Sequence, residues 1–88
     1  MLSIIMQSNI RISRKPEELS RYGFSNSTFY LRIQQGLIPP PISLGGRAVG
    51  WVEHENQAVL NAMIAGKTNE EIKALVISLV ESRKDGAQ

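Results

Sequence analysis

The stretch Tyr22-Gly23-Phe24-Ser25-Asn26-Ser27-Thr28-Phe29-Tyr30-Leu31-Arg32-Ile33-Gln34-Gln35-Gly36 sets the fold around which the rest of the chain must fit. Gly23 can supply the positive φ of a tight turn, and Ser25 is placed to accept hydrogen bonds from the free amides that open a helix. Phe29 and Ile33, four residues apart, fall on one face of that helix, and Gly36 ends it.

Upstream, Lys15-Pro16-Glu17-Glu18-Leu19 reads as the start of a first, short helix. Proline suits the first helical position, and the two glutamates favour the positive end of the helix dipole. That helix ends near Tyr22-Gly23, so the pattern is helix, glycine turn, helix. Downstream, Pro39-Pro40-Pro41 forbids a further helix and removes ladder donors, which predicts an extended arm. A strand pair follows, Pro41 to Leu44 and Ala48 to Val52, joined by the turn Gly45-Gly46-Arg47.

A third helix is expected from about Glu53 or His54 to Ala65, with Leu60, Met63 and Ile64 inward and Gly66 as its terminator. Thr68-Asn69-Glu70-Glu71 has capping-box form and opens a fourth helix. Ile72, Leu75, Val76, Leu79 and Val80 follow the i, i+3, i+4, i+7, i+8 spacing of one buried stripe. Ile77 lies off the stripe and widens the apolar surface. Trp51, the single tryptophan, is read as a core residue linking the second strand to the third helix. The tail after Lys84 is polar and expected to fray.

An 88-residue chain allows one small domain, of which about 60% of the unfolded surface is buried. Its 42% apolar and 20% charged composition argues against disorder or a fibrous repeat. With no cysteine, neither disulfides nor a thiolate zinc site can support the core. Met1-Leu2-Ser3-Ile4-Ile5-Met6 is apolar but too short for a signal peptide's hydrophobic region or a membrane span, and Met6 is a second candidate start. The net charge of +2 is unevenly spread. Residues 1–50 carry six cationic side chains and two carboxylates, a balance of +4, whereas residues 51–88 carry four and six, a balance of −2. The basic half is where a polyanion would bind.

On the second helix, steps of about 100° per residue put Ser27, Leu31, Gln34 and Gln35 opposite Phe29 and Ile33, with Thr28 and Tyr30 on the flanks. Such a face suits base edges, with Leu31 able to meet a thymine methyl; it equally suits plain solvation, or packing of Leu31 on the hairpin. Arg47 at a glycine-rich tip can press on a phosphate or enter a minor groove, or serve only solubility. Arg14, Lys15 and Arg32 are weaker phosphate candidates.

Catalytic and metal motifs fail on inspection. Ala65-Gly66-Lys67-Thr68 resembles the end of a phosphate loop, but Asn61 stands where that motif needs glycine, and the turn lies between helices. His54-Glu55 is followed by Ala58 where a zinc-binding pair needs a second histidine. Asn26-Ser27-Thr28 matches a glycosylation acceptor without a secretory signal. No nucleophile, base and orienting group can be nominated together, so no catalysis, cofactor, metal or small-molecule substrate is expected.

Tyr22 to Tyr30, then Gly36-Leu37-Ile38-Pro39-Pro40-Pro41, then Leu44-Gly45-Gly46-Arg47-Ala48-Val49-Gly50-Trp51 together resemble the AlpA family of phage-type regulators over about Ile12 to Ala65. The resemblance implies a mainly α fold with a small β-hairpin, a winged helix-turn-helix related to MerR-like and excisionase domains, here with an extra C-terminal helix. It implies residues 1–10 as an extension, 11–66 as the DNA-binding domain and 67–88 as the C-terminal helix and tail. It implies a cytoplasmic, nucleoid-associated bacterial protein, with no membrane role, that binds promoter or attachment-site DNA to control an integrase gene or to act as an excision factor. The expected DNA-contacting residues are Asn26, Ser27, Thr28, Tyr30, Leu31, Arg32, Gln34 and Arg47. Two departures stand out. Leu31-Arg32 replaces the usual basic-then-apolar order, and Val59 or a neighbour replaces a second tryptophan. A homodimer through the fourth helix is also expected, and the rival to DNA binding is a protein-interaction adaptor acting through that helix.

Overall fold

The computed structural model describes residues 10–85. The elements are β1 (Ile12–Ser13), α1 (Lys15–Tyr22), α2 (Asn26–Gln34), β2 (Ile42–Gly45), β3 (Ala48–Val52), α3 (Glu53–Ile64) and α4 (Asn69–Ser82), closed by a 3-10 turn at Arg83–Asp85. Four helices and a small antiparallel sheet make an arrangement compatible with a winged-helix fold. Expectations placed on Met1 to Met6 and on the last residues of the tail lie outside the described residues.

Local chemistry starts and stops each helix. Glu17 accepts the Arg14 N–H at 2.8 Å ahead of α1, and the Gly23 N–H closes that helix onto the Leu19 carbonyl at 2.8 Å. Ser25 Oγ accepts the Thr28 N–H at 3.2 Å and caps α2. At α4, Glu71 donates its N–H to Thr68 Oγ1 at 3.1 Å while Thr68 donates its own to Glu71 Oε1 at 2.8 Å. The Thr68 amide holds the Glu71 carboxyl below the usual carboxylate range.

The sheet has order β1-β3-β2, so the expected hairpin gains a third strand on its far side. Ile12 pairs with Val52 and Ser13 with Trp51, while Ile42 pairs with Gly50 and Ser43 with Val49. Gly45 and Gly46 turn the hairpin with φ of 107° and 55°, a backbone that side chains strain to adopt.

Gly50 in the central strand has a different reason to be glycine. A Cβ there would lie 2.5 Å from Ile12 Cγ2 and 3.3 Å from the Ser13 carbonyl oxygen, so β1 can approach only because no side chain intervenes. Gly50→Ala is expected to destabilise by about 1–3 kcal/mol through overpacking, read as a lowered urea midpoint. An unchanged midpoint would show that β1 yields freely.

Two apolar clusters form the core. Phe29, Ile38 and Trp51 join α2, the arm and β3, flanked by Leu19, Phe24 and Ile33. Leu37, Val59, Ile72 and Val76 join the arm to α3 and α4. Tyr22 packs against both and donates its hydroxyl to Asn56 Oδ1, and burial pushes its pKa well above the ordinary tyrosine value, so it remains a donor.

One inward assignment on α3 is corrected. Ile64 stands 75% exposed, while the buried residues of that helix are Glu55, Asn56 and Val59. Taking Val59 as the inward direction, Ile64 lies about 140° away at 100° per residue. The polar residues Glu55 and Asn56 occupy the inward face because partners satisfy them: Arg83 grips Glu55, and Tyr22 meets Asn56.

Candidate nucleic-acid interface

The outer face of α2 is where the spacing placed it. Asn26, Ser27, Thr28, Tyr30, Leu31, Gln34 and Gln35 are all exposed, whereas Phe29 is buried and Ile33 half-buried. Phe29 meets Trp51 with ring centroids 5.2 Å apart, which fixes the helix directly to β3, the central strand of the sheet. Helix face and hairpin are thus parts of one packed unit.

Within this face the hydroxyl of Ser25 donates to Thr28 Oγ1 at 3.0 Å, so Thr28 is partly engaged by the cap. Lys15, at the start of α1, holds its ammonium 5.1 Å from the centre of the Tyr30 ring. A cation over an aromatic face gains about 0.5–1 kcal/mol at exposed sites. The contact brings a positive charge from the first helix beside the outer face of the second.

Arg32 is placed differently from the other candidates. It is half-buried, its guanidinium lies 5.2 Å from the centre of the Phe24 ring, and its Nε is buried without a partner among the described residues. Phe24 in turn stacks on Tyr22 at 5.1 Å with an interplanar angle of 3°. Only the terminal nitrogens of Arg32 are left to meet a ligand.

Arg47 is exposed at the hairpin tip, and among the described residues no carboxylate pairs with it. Its neighbour turn is braced by Ser43, whose Oγ accepts the Gly45 N–H at 3.3 Å.

The structure sorts the basic half of the chain into used and available charge. Arg21 bridges Glu18 at 3.0 Å and Glu53 at 2.8 Å, also donating to Gln57 at 2.9 Å, and Arg11 approaches Glu53 at 3.5 Å. Both arginines therefore fasten α1 and β1 to α3. Burial works against the charge on Arg21, yet its hydrogen bonds to Glu53 and Glu18 raise its pKa on balance. Arg14, Lys15, Arg32 and Arg47 have no carboxylate partner among the described residues. Charge counting in the sequence could not make this division: Glu18 lies three residues before Arg21 on the same helix, but Glu53 meets Arg21 and Arg11 only through the fold.

Among the described residues no group of acidic, histidine or cysteine side chains is arranged to hold a metal ion, and no helix is long and apolar enough to cross a membrane.

Residues 11–59 match the family model described as Prophage CP4-57 regulatory protein (AlpA). A stretch of 57 residues is 42% identical to the uncharacterized protein ORF88 of Enterobacteria phage P4, covering 65% of this chain and 65% of that protein, so the likeness spans just under two thirds of the relative's length. No solved structure matches the chain.

Proposed function

Because the chain belongs to the AlpA family of prophage regulatory proteins, we propose that it binds double-stranded DNA sequence-specifically as a winged helix-turn-helix of the MerR-like and excisionase kind. The observation that supports this most is the coincidence of an exposed polar α2 face with cations that have no carboxylate partner among the described residues. In this reading α2 lies in the major groove, where Asn26, Ser27, Thr28, Leu31 and Gln34 meet base edges and Tyr30 stands on the flank. Lys15, Arg32 and Arg47 contact phosphates, which position the protein without reading sequence. Promoter or attachment-site DNA of an integrative element is the proposed target, with control of an integrase gene or of excision as the outcome.

Selection of binding sites from random duplex DNA tests this directly. Enrichment of one motif is expected, and absence of any DNA affinity at low salt would overturn the reading. Footprints on an attachment site and on an integrase promoter then separate excision from transcriptional control.

Arg47→Ala is expected to weaken binding to all sequences alike and to reduce the salt slope by about 1. A loss confined to one base position would instead make Arg47 a base reader.

The reading includes a homodimer, supported by Ile77, which stands 60% exposed on α4 beside the buried Ile72 and Val76 stripe. Sedimentation showing only monomer at high concentration, with and without DNA, would remove it.

A further inference from the structure

The fourth helix is apolar on more than its buried side. Ile72 and Val76 are buried, and Leu75, Leu79 and Val80 pack on the same core, while Ile77 stands 60% exposed on the outer side. At about 100° per residue, Glu70, Lys73, Ile77 and Glu81 fall within about 40° of one line along that outer side. Glu70 and Glu81 are exposed, and Lys73 is half-buried, its Cγ 3.9 Å from where a Gly36 Cβ would stand. Lys84 follows, exposed, in the turn that closes the helix. On one flank of Ile77, Ala74, Leu75 and Ser78 line a shallow concavity of about 500 Å³ shared with Ala62 of α3.

The charges along this line are opposite in sign about Ile77. Four residues before it stands Lys73 and four after it Glu81; seven before it stands Glu70 and seven after it Lys84. None of the four lies within ion-pair distance of an opposite charge among the described residues. A two-fold axis beside Ile77, at right angles to α4, lays a second copy of the helix antiparallel and sets each residue before the centre against the one equally far after it.

We propose that this outer face of α4 is the contact between two copies of the chain, antiparallel about Ile77, with Lys73 facing the partner's Glu81, Glu70 facing the partner's Lys84, and Ile77 covering the partner's Ile77 and Ala74. The assignment deepens the homodimer reading and rests on it, but not on DNA binding. Charge selects this arrangement over its competitors. A parallel pair sets Lys73 against the partner's Lys73 and Glu81 against the partner's Glu81, and like charges in contact disfavour it. An antiparallel pair shifted by one turn in either direction sets a charged side chain against the partner's Ile77. With one exposed isoleucine per chain at its centre the interface is small, so association is weak and concentration-dependent, and the exposed ion pairs choose the geometry more than they add affinity.

Sedimentation equilibrium of the full-length protein, up to millimolar concentration at low salt, tests the assignment, with circular dichroism checking that each variant is folded. The wild-type chain is expected to dimerise and Ile77→Ser to stay monomeric. Lys73→Glu alone and Glu81→Lys alone each turn two attractive pairs per dimer into repulsive ones, and each is expected to raise the dimer dissociation constant about tenfold. Both reversals in one chain restore opposite charges and are expected to return the constant to within about twofold of wild type. An equimolar mixture of the two single variants is expected to form a heterodimer where neither variant alone associates, since one chain then offers carboxylates where the other offers ammonium groups. Wild-type protein that stays monomeric throughout would overturn this interface and the homodimer reading together. A wild-type dimer unaffected by Ile77→Ser or by either single reversal, a double reversal that stays weak, or a mixture that stays monomeric would overturn this geometry alone and leave the dimer to another face.

Discussion

Trp51→Ala is expected to remove about 3–5 kcal/mol of stability, the range for emptying a large buried aromatic site. Small proteins keep only about 5–15 kcal/mol in total, so this variant approaches or crosses the unfolding threshold at room temperature. The size of the effect follows from what the ring touches. It is 1% exposed, meets Phe29 at 5.2 Å, and belongs to the cluster that joins α2 and the Ile38 arm to the central strand. The indole N–H, however, has no partner among the described residues. Trp51→Phe keeps an aromatic ring against Phe29 while deleting that orphan donor, and is expected to lose clearly less than Trp51→Ala. Urea unfolding followed by far-ultraviolet circular dichroism measures both, since the only tryptophan is gone in each. A loss under about 1 kcal/mol for Trp51→Ala would mean the cluster closes around the gap.

That cluster was legible in the sequence because its members are aromatic or aliphatic and sit between strong punctuation. Gly23, Gly36 and the three prolines fix where α2 begins and ends and where the arm starts, and the Gly45-Gly46 turn fixes the hairpin. The third strand was not legible. Ile12–Ser13 has two residues, no periodicity to detect, and a partner about 40 residues later in the chain. The inward face of α3 was misread for a related reason. Met63 does pack on the core and Leu60 is half-buried, but Ile64 is exposed and the helix turns Glu55, Asn56 and Val59 fully inward; hydrophobic patterning cannot register a buried glutamate whose arginine lies 28 residues away. Glu18 repeats the lesson on α1, where one glutamate caps and the next is wholly buried against Arg21. The α2 face was legible as a set of exposed residues. Which arginines had spare charge was not, because Glu53 and Glu55, which engage Arg11, Arg21 and Arg83, come from α3.

Arg83→Ala is expected to cost about 3 kcal/mol, at the lower end of the range for breaking a buried ion pair, because Arg83 itself keeps a quarter of its side chain in solvent. Its partner does not. Glu55 is 2% exposed, and Arg83 holds both of its oxygens, Nε to Oε2 at 2.8 Å and Nη2 to Oε1 at 2.6 Å, while Nη2 also donates to the Pro40 carbonyl at 2.8 Å. The hydrogen bonds to Glu55 raise the Arg83 pKa above the ordinary arginine value, which favours the charged guanidinium. Deleting it leaves a carboxylate enclosed by protein and frees the arm that leads into β2. If the cost comes from the stranded charge, Glu55→Gln in the Arg83→Ala background should recover a large part of it, and the two substitutions will be strongly non-additive in a double-mutant cycle. Strict additivity would mean that Arg83 acts only through Pro40 and the end of α4. Trp51 fluorescence during urea unfolding can follow all four proteins, since the ring remains in place. The pair also gives the turn that closes α4 a physical role that the matched segment of residues 11–59 does not contain: a residue beyond that segment neutralises a buried charge at the start of α3 and grips the arm ahead of β2. Truncation after Ser82 should therefore reproduce the stability loss of Arg83→Ala while leaving every residue of the α2 face in place.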